Sequence, residues 1–228
     1  MNRKTEVKRE TKETTISVSL NIDGTGDYSI NTPIGFFTHM LESFSKHGSF
    51  DLDIKAEGDT HVDQHHLVED CGIVLGRVFD QALRDRQGIN RAGFFIYPMD
   101  EALSTAAVDL SGRPYLQYEA EFSRQYCGSM EIALLEDFFR AFSVHARANI
   151  VVRITQGGWH PQPMMSPKDI RHKENLRKKT RFSCSVIQGG SDHHKAESAF
   201  KALAKALRMA CEPDPRNPGR LPTTKGVM

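Results

Sequence analysis

Two short stretches hold the residue types that bind metal ions. His65-His66-x-x-Glu69 and His193-His194-x-x-Glu197 are one pattern, HHxxE, written twice. Residues three and four apart share a helix face. Each glutamate is therefore expected beside both histidines in a first helical turn, where ligands project past the helix end. Imidazole with carboxylate is a borderline N/O ligand set, suited to Mn, Fe, Co, Ni or Zn and poorly to Ca or Mg. One HHxxE alone is equally well explained by a solvated helix start. Two copies, each opening the final helix of a repeat, favour metal.

Spacing adds two candidates. His39 precedes its HH pair by 65 − 39 = 26 residues. Aligning Phe36-Phe37-Thr38-His39-Met40-Leu41 with Leu134-Leu135-Glu136-Asp137-Phe138-Phe139 makes Asp137 the counterpart of His39. Asp137 is 193 − 137 = 56 residues from its pair, and removing the 32 residues Trp159–Gly190 leaves 24, close to 26. His39 and Asp137 are thus symmetry-related candidates to complete two metal sites. A hydrogen-bonded histidine on an apolar helix and an ordinary solvated helix acid are the competing readings.

The elements that position these residues follow from hydrophobic periodicity. Ile16, Val18, Leu20 and Ile22 alternate with polar residues as a half-buried strand, and Asp23–Gly26 turns the chain. Phe36, Phe37, Met40, Leu41 and Phe44 have helical spacing; Phe50, Leu52, Ile54 and Ala56 alternate as a strand; a helix is expected from about Asp63 to Arg84. The second half repeats the order. Strands are expected near Gly93–Pro98, Ser104–Leu110 and Tyr115–Phe122, a helix over Met130–Arg147, a strand over Asn149–Thr155 and a helix over His193–Met209. The class is α+β, with duplicated half-domains (1–91 and 92–228) of a β-sheet packed against helices. Between Gln156-Gly157-Gly158 and Gln188-Gly189-Gly190 lies a proline-containing stretch with a basic run; long loops are uncommon in compact domains, so 159–190 reads as an insertion.

Composition narrows the classes. With 30 Lys plus Arg against 29 Asp plus Glu the net charge is +1, which excludes a wholesale polyanion binder. At 39% hydrophobic and 26% charged residues the chain is globular, not disordered. Cys71, Cys127, Cys184 and Cys211 are widely spaced, which suggests free thiols in a reducing compartment. No run approaches a membrane span, and the N-terminus lacks the apolar core of a signal peptide, so a cytoplasmic location without a membrane partner is expected.

These stretches resemble the imidazoleglycerol-phosphate dehydratase family of histidine biosynthesis. The resemblance covers nearly everything except Trp159–Gly190. It is carried by KETTISVSLNIDGTG, HML with a later HG, GDTHVDQHHLVED, GINR, PMDEAL, DLSGRPYL, SDHHKAESAFKALAKALR and PTTKGVM. It implies a fold like domain 2 of ribosomal protein S5 and two Mn(II) ions per active site. The implied ligands are His39, His65, His66, Glu69, His193, His194 and Glu197. Asp137 stands where many members have histidine, and Thr38 where aspartate is usual. Arg91, Arg113, Lys201, Thr223, Thr224 and Lys225 match phosphate-binding positions. Glu13 matches an acid near the substrate, a candidate proton shuttle; Glu101 has a similar case. His61 is read either as an outer-shell residue or as a surface strand-end histidine.

The implied reaction removes water from imidazoleglycerol phosphate to give imidazole-acetol phosphate. The proton lost is not acidic, so ions must hold the ring as imidazolate until its charge expels the neighbouring hydroxyl. A glutamate or metal-bound water then takes the proton, with Glu13, Glu69 and Glu197 as the carboxylates of the catalytic set. Members of the family form 24-subunit shells with active sites between subunits, so a homo-oligomer is expected. The alternatives are a dinuclear metallohydrolase on a phosphorylated substrate, and a metal-storage or nucleic-acid-binding protein using Lys168–Arg181. A solvated insertion explains that basic run without a nucleic-acid partner.

Overall fold

A computed structural model describes residues 3–156 and 191–225; the expected insertion at 159–190 lies outside the described residues. The first half runs β1 (Lys4–Glu10), β2 (Thr14–Asn21), β3 (Tyr28–Asn31), α1 (Gly35–Gly48), β4 (Asp51–Gly58) and α2 (His65–Leu83). The second runs β5 (Ala92–Met99), β6 (Ala102–Asp109), β7 (Tyr115–Glu119), a small hairpin of β8 (Tyr126–Cys127) and β9 (Met130–Glu131), α3 (Leu134–His145), β10 (Asn149–Gln156) and α4 (Asp192–Cys211).

The two sheets share one topology. Their orders are β1-β2-β4-β3 and β5-β6-β10-β7. In each, the first three strands run antiparallel to their neighbours and the last is parallel to its neighbour. The parallel pairs need a crossover, and α1 and α3 provide it. The α+β duplication is therefore visible strand by strand.

Alternation explains which face each sheet buries. Ile16, Val18 and Leu20 on β2 and Ile150 and Val152 on β10 are fully buried and point at the helices. In the layer order sheet, helix pair, helix pair, sheet, α1 packs on α4 and α2 on α3, so each helix meets one from the other half. Phe37 of α1 lies edge-on to Phe138 of α3 at 5.4 Å, and Phe138 stacks on Phe200 of α4 at 5.3 Å. The halves share one core.

Two glycines set the approach of α2 to α3. A Cβ on Gly72 would lie 2.6 Å from the Phe138 carbonyl oxygen, and one on Gly76 would lie 2.8 Å from the Ala146 nitrogen. Only hydrogen fits there.

Several boundaries differ from expectation. β1 and β3 are strands that periodicity does not reveal: β1 (KTEVKRE) has a single apolar residue at an edge, and β3 has four residues. Its charges suit an edge strand, which must discourage pairing with other chains. The strand expected to reach Phe122 ends at Glu119, α2 begins at His65 instead of Asp63, and Met130 belongs to β9, not to the following helix. Met130 is fully buried in either case, so its apolar signal belongs to the core and not to a helix face.

Candidate metal centre and anion pocket

Around the N-terminus of α4 the chain gathers two convergent donor sets among the described residues, His39–His193–Glu197 and Asp100–Glu101–His194. Ser191 caps the helix, its hydroxyl accepting from the His194 amide at 3.4 Å. Asp192 and Lys195 form an ion pair of 2.8 Å with both side chains 1% exposed. Asp192 also accepts from the Ser123 and Arg124 amides at 2.9 and 2.7 Å, and Lys195 donates to the Glu121 carbonyl at 2.9 Å. The helix start is thereby fixed to the segment after β7.

From that anchored turn, His193 Nε2 lies 3.2 Å from Glu197 Oε2, and His39 Nε2 on α1 lies 3.5 Å from the same oxygen. One donor atom from each of His39, His193 and Glu197 falls within a 4.8 Å group. The other oxygen of Glu197 is occupied by Lys201 Nζ at 2.7 Å and Ser43 Oγ at 3.4 Å. Burial works to raise the Glu197 pKa, but the Lys201 hydrogen bond and charge, with His39 and His193, outweigh it and hold the group ionised. An ionised carboxylate beside two Nε2 atoms is a ready N/O site for a divalent ion.

The matching turn of α2 is arranged differently. His65 Nε2 lies 3.6 Å from Glu69, while His65 Nδ1 lies 3.3 Å from Asp137 on α3. The second histidine of each pair turns to a carboxylate from another element. His66 Nδ1 is 3.0 Å from Asp59, and that hydrogen bond raises its pKa. His194 Nδ1 is 3.3 Å from Glu101 and 3.5 Å from Asp100. The expectation that each glutamate sits beside both histidines is therefore corrected: only the first of each pair faces it, because the second ring is drawn to Asp59 in one half and to Glu101 and Asp100 in the other. Nor do the ligand candidates form one cluster. Among the described residues, no donor group within 4.8 Å joins the two HHxxE copies.

Asp59 and the positioning role of Glu101 were not foreseen. Asp59 stands seven residues before His66 (66 − 59 = 7), outside α2 and on the far side of a turn, so helical spacing does not relate the two. Glu101 accepts from both the Ser191 amide and His194, so it orients the first turn of α4. Glu13 is exposed at the β1–β2 turn; its carbonyl accepts from the Asp59 amide at 3.0 Å, and its charge also raises His66. His61 is exposed, and the Thr38 hydroxyl meets Thr32 at 2.9 Å instead of a metal-ligand candidate.

The anion-binding candidates separate into two places. Arg91, Arg113, Thr223, Thr224 and Lys225 line a cavity of about 640 Å³ with Ser111, Gly112 and Pro222. Arg91 is held by Asp109 at 2.7 Å and by the Pro222 carbonyl at 2.6 Å, which fastens the C-terminal segment to β6. Lys201 is not in this pocket, since it is committed to Glu197. The pocket adjoins the C-terminal end of α4, where the Arg91 amide donates to the Ala210 carbonyl at 2.9 Å. His193 to Ala210 is 210 − 193 = 17 residues, or about 25 Å at 1.5 Å per residue. One chain therefore holds the His39–His193–Glu197 group and the Arg91–Arg113 cavity at opposite ends of one helix.

Comparisons with known proteins place the chain in a family. The family model described as imidazoleglycerol-phosphate dehydratase matches residues 32–161. Proteins of that name from Gluconacetobacter diazotrophicus and Alkalilimnicola ehrlichii are 44% and 43% identical, covering 97% and 100% of this chain and 96% and 100% of theirs. The solved imidazoleglycerol-phosphate dehydratase of Staphylococcus aureus aligns with TM-score 0.69 and 31% identity over 92% of this chain and 99% of its own. That of Pyrococcus furiosus aligns with TM-score 0.72 and 29% identity over 97% and 100%. The chain belongs to the imidazoleglycerol-phosphate dehydratase family.

Proposed function

We propose that this protein dehydrates imidazoleglycerol phosphate to imidazole-acetol phosphate, the hydro-lyase step of histidine biosynthesis, in the cytoplasm. Mn(II) is the proposed resident ion, and each active site is proposed to form between subunits of a homo-oligomer. The observation that carries the reading is the convergence of His39, His193 and Glu197 on one point, with a separate cationic cavity in the same chain.

The donor set fits a borderline divalent ion, because two imidazoles and one carboxylate are a mixed N/O set that adds only one negative charge. Bound there, such ions would supply positive charge to stabilise negative charge developing on the substrate ring. His39, His65, His66, His193 and His194 would hold the ions with Glu69 and Glu197. Glu197, kept ionised by Lys201, is suited to holding charge and not to carrying a proton. Glu13, exposed beside the Asp59–His66 pair, is free to take the proton from the substrate carbon. Arg91, Arg113, Thr223, Thr224 and Lys225 receive the phosphate, with cations and hydroxyls suited to its oxygens.

Distance supports assembly between subunits. A three-carbon chain at about 1.5 Å per bond places the substrate's ring and phosphate within about 10 Å of each other. The roughly 25 Å of α4 between the two sites is too long for one substrate to bridge. The cluster of one subunit must then meet the anion pocket of another. The outward face of β5 supports self-association: Phe94 and Ile96 are 61% and 54% exposed.

The test is an assay of Mn(II)-loaded protein with imidazoleglycerol phosphate, metal per subunit being counted in parallel. Loaded protein is expected to form a keto product with phosphate retained, chelation to abolish turnover, and Mn(II) to restore it. Release of inorganic phosphate would instead identify a metallohydrolase, and full turnover by metal-free protein would reject the reading.

A further inference from the structure

The internal duplication gives a control for each site residue: its counterpart in the other half. His39 on α1 faces the HHxxE of α4, and Asp137 on α3 faces the HHxxE of α2. The two do different things. His39 brings Nε2 to the same Glu197 oxygen that His193 Nε2 approaches, so its donor atom joins that cluster. Asp137 approaches Nδ1 of His65, whereas Glu69 lies on the Nε2 side of the same ring. The two carboxylates stand at opposite edges of one imidazole.

A neutral imidazole has one N–H and one lone pair, on different nitrogens. A carboxylate facing Nδ1 favours the tautomer with its proton there, leaving the lone pair at Nε2 beside Glu69. An ion bound at that lone pair lies across the ring from Asp137. The same device occurs twice more, with Asp59 at Nδ1 of His66 and Glu101 at Nδ1 of His194. In all three, a carboxylate holds the rear nitrogen and leaves Nε2 forward.

We propose that Asp137 is a positioning residue that orients His65 and is not itself an ion ligand, so that the two halves of each chain bind metal unequally. The half with His39, His193 and Glu197 offers three converging donors, and the half with His65 and Glu69 offers two from the same elements. This inference rests on the metal-binding reading of the site.

The experiment is a titration of the full chain with Mn(II) alone, free ion being followed by its electron paramagnetic resonance signal. Co(II) absorption spectra at saturation serve as a reporter of the ligand set. Wild type is expected to show two affinity classes at least about tenfold apart. Asp137→Ala is expected to weaken the weaker class by about 10- to 100-fold, the usual effect of losing a carboxylate behind a ligating histidine. Asp137→Asn, which keeps an acceptor for Nδ1–H, is expected to recover most of that loss. The Co(II) spectrum is expected to stay wild type in both variants and to change in Glu69→Gln. A Co(II) spectrum altered by Asp137→Asn as it is by Glu69→Gln would make Asp137 a ligand and overturn the proposal. One affinity class in wild type, or no effect of Asp137→Ala, would equally overturn it. Failure of wild type to bind Mn(II) at all would instead reject the metal-binding reading. Asp137 is 38% exposed, and circular dichroism checks that the variants fold.

Discussion

Glu197 connects two kinds of chemistry through its two oxygens. Oε2 faces the imidazoles of His39 and His193, and Oε1 takes Lys201 at 2.7 Å. Both side chains of the Lys201 pair are largely buried, 13% and 9% exposed, so removing the lysine strands a carboxylate away from water. Lys201→Met is expected to destabilise the metal-free protein by about 3–5 kcal/mol, with Mn(II) restoring part of the loss, in urea melts with and without the ion. Arg113→Ala is expected to leave stability and ion content unchanged and to raise KM for the phosphorylated substrate. If Lys201→Met raises KM and spares the metal-free stability, Lys201 belongs to the phosphate clamp after all. The reading of Lys201 as a phosphate ligand came from the family resemblance, and its place one turn beyond Glu197 let both contacts share one helix. That same spacing also makes it an i,i+4 partner of Glu197, and sequence alone cannot tell which contact a long side chain takes. The ligand types in HHxxE were legible because helical spacing is local. Asp59, brought to His66 by a turn, was not, since its contact depends on where the turn folds back.

At the scale of elements, the site depends on how closely helices from different halves approach. His65 on α2 and Asp137 on α3 meet because Gly72 and Gly76 let those helices touch backbone to backbone. Gly76→Ala is expected to cost about 1–3 kcal/mol through overpacking and to lower the urea midpoint. By prising α2 from α3 it is also expected to weaken Mn(II) binding at the His65 half while sparing the His39–His193–Glu197 half. Equal weakening of both would mean that the halves are not mechanically separate. Elements with strong apolar alternation, such as β2, β4 and β6, and helices with apolar stripes, such as α1 and α4, were legible from sequence alone. β1 was not: an edge strand shows charge where a central strand shows valine, so negative design against pairing erases the signal that identifies it. The pairing of α1 with α4 and α2 with α3 was also hidden, because apolar stripes state that a face is buried without naming its partner.

Across the whole molecule, the arrangement is four layers with the two halves interlocked, and its functional groups sit at separate ends of α4. No helix among the described residues is long and apolar enough to cross a membrane. The duplicated order of elements was readable in the sequence, while the separation of metal cluster and anion pocket emerged only when Arg91 was found against Ala210. That separation makes the central claim testable by mixing two dead proteins. His193→Ala lacks the metal cluster but keeps its anion pocket, and Arg113→Ala keeps the cluster but lacks the pocket. Each alone is expected to be inactive or nearly so at a substrate concentration near the wild-type KM, where the raised KM of Arg113→Ala leaves its sites empty. Dissociated, mixed in equal amounts and reassembled with Mn(II), they are expected to recover turnover, at about a quarter of wild type if subunits mix at random and each site draws one part from each of two neighbours. Recovered activity is the result the account predicts. Mixed assemblies that form but stay as inactive as either parent would contradict it, because both parts of the site would then have to come from a single chain.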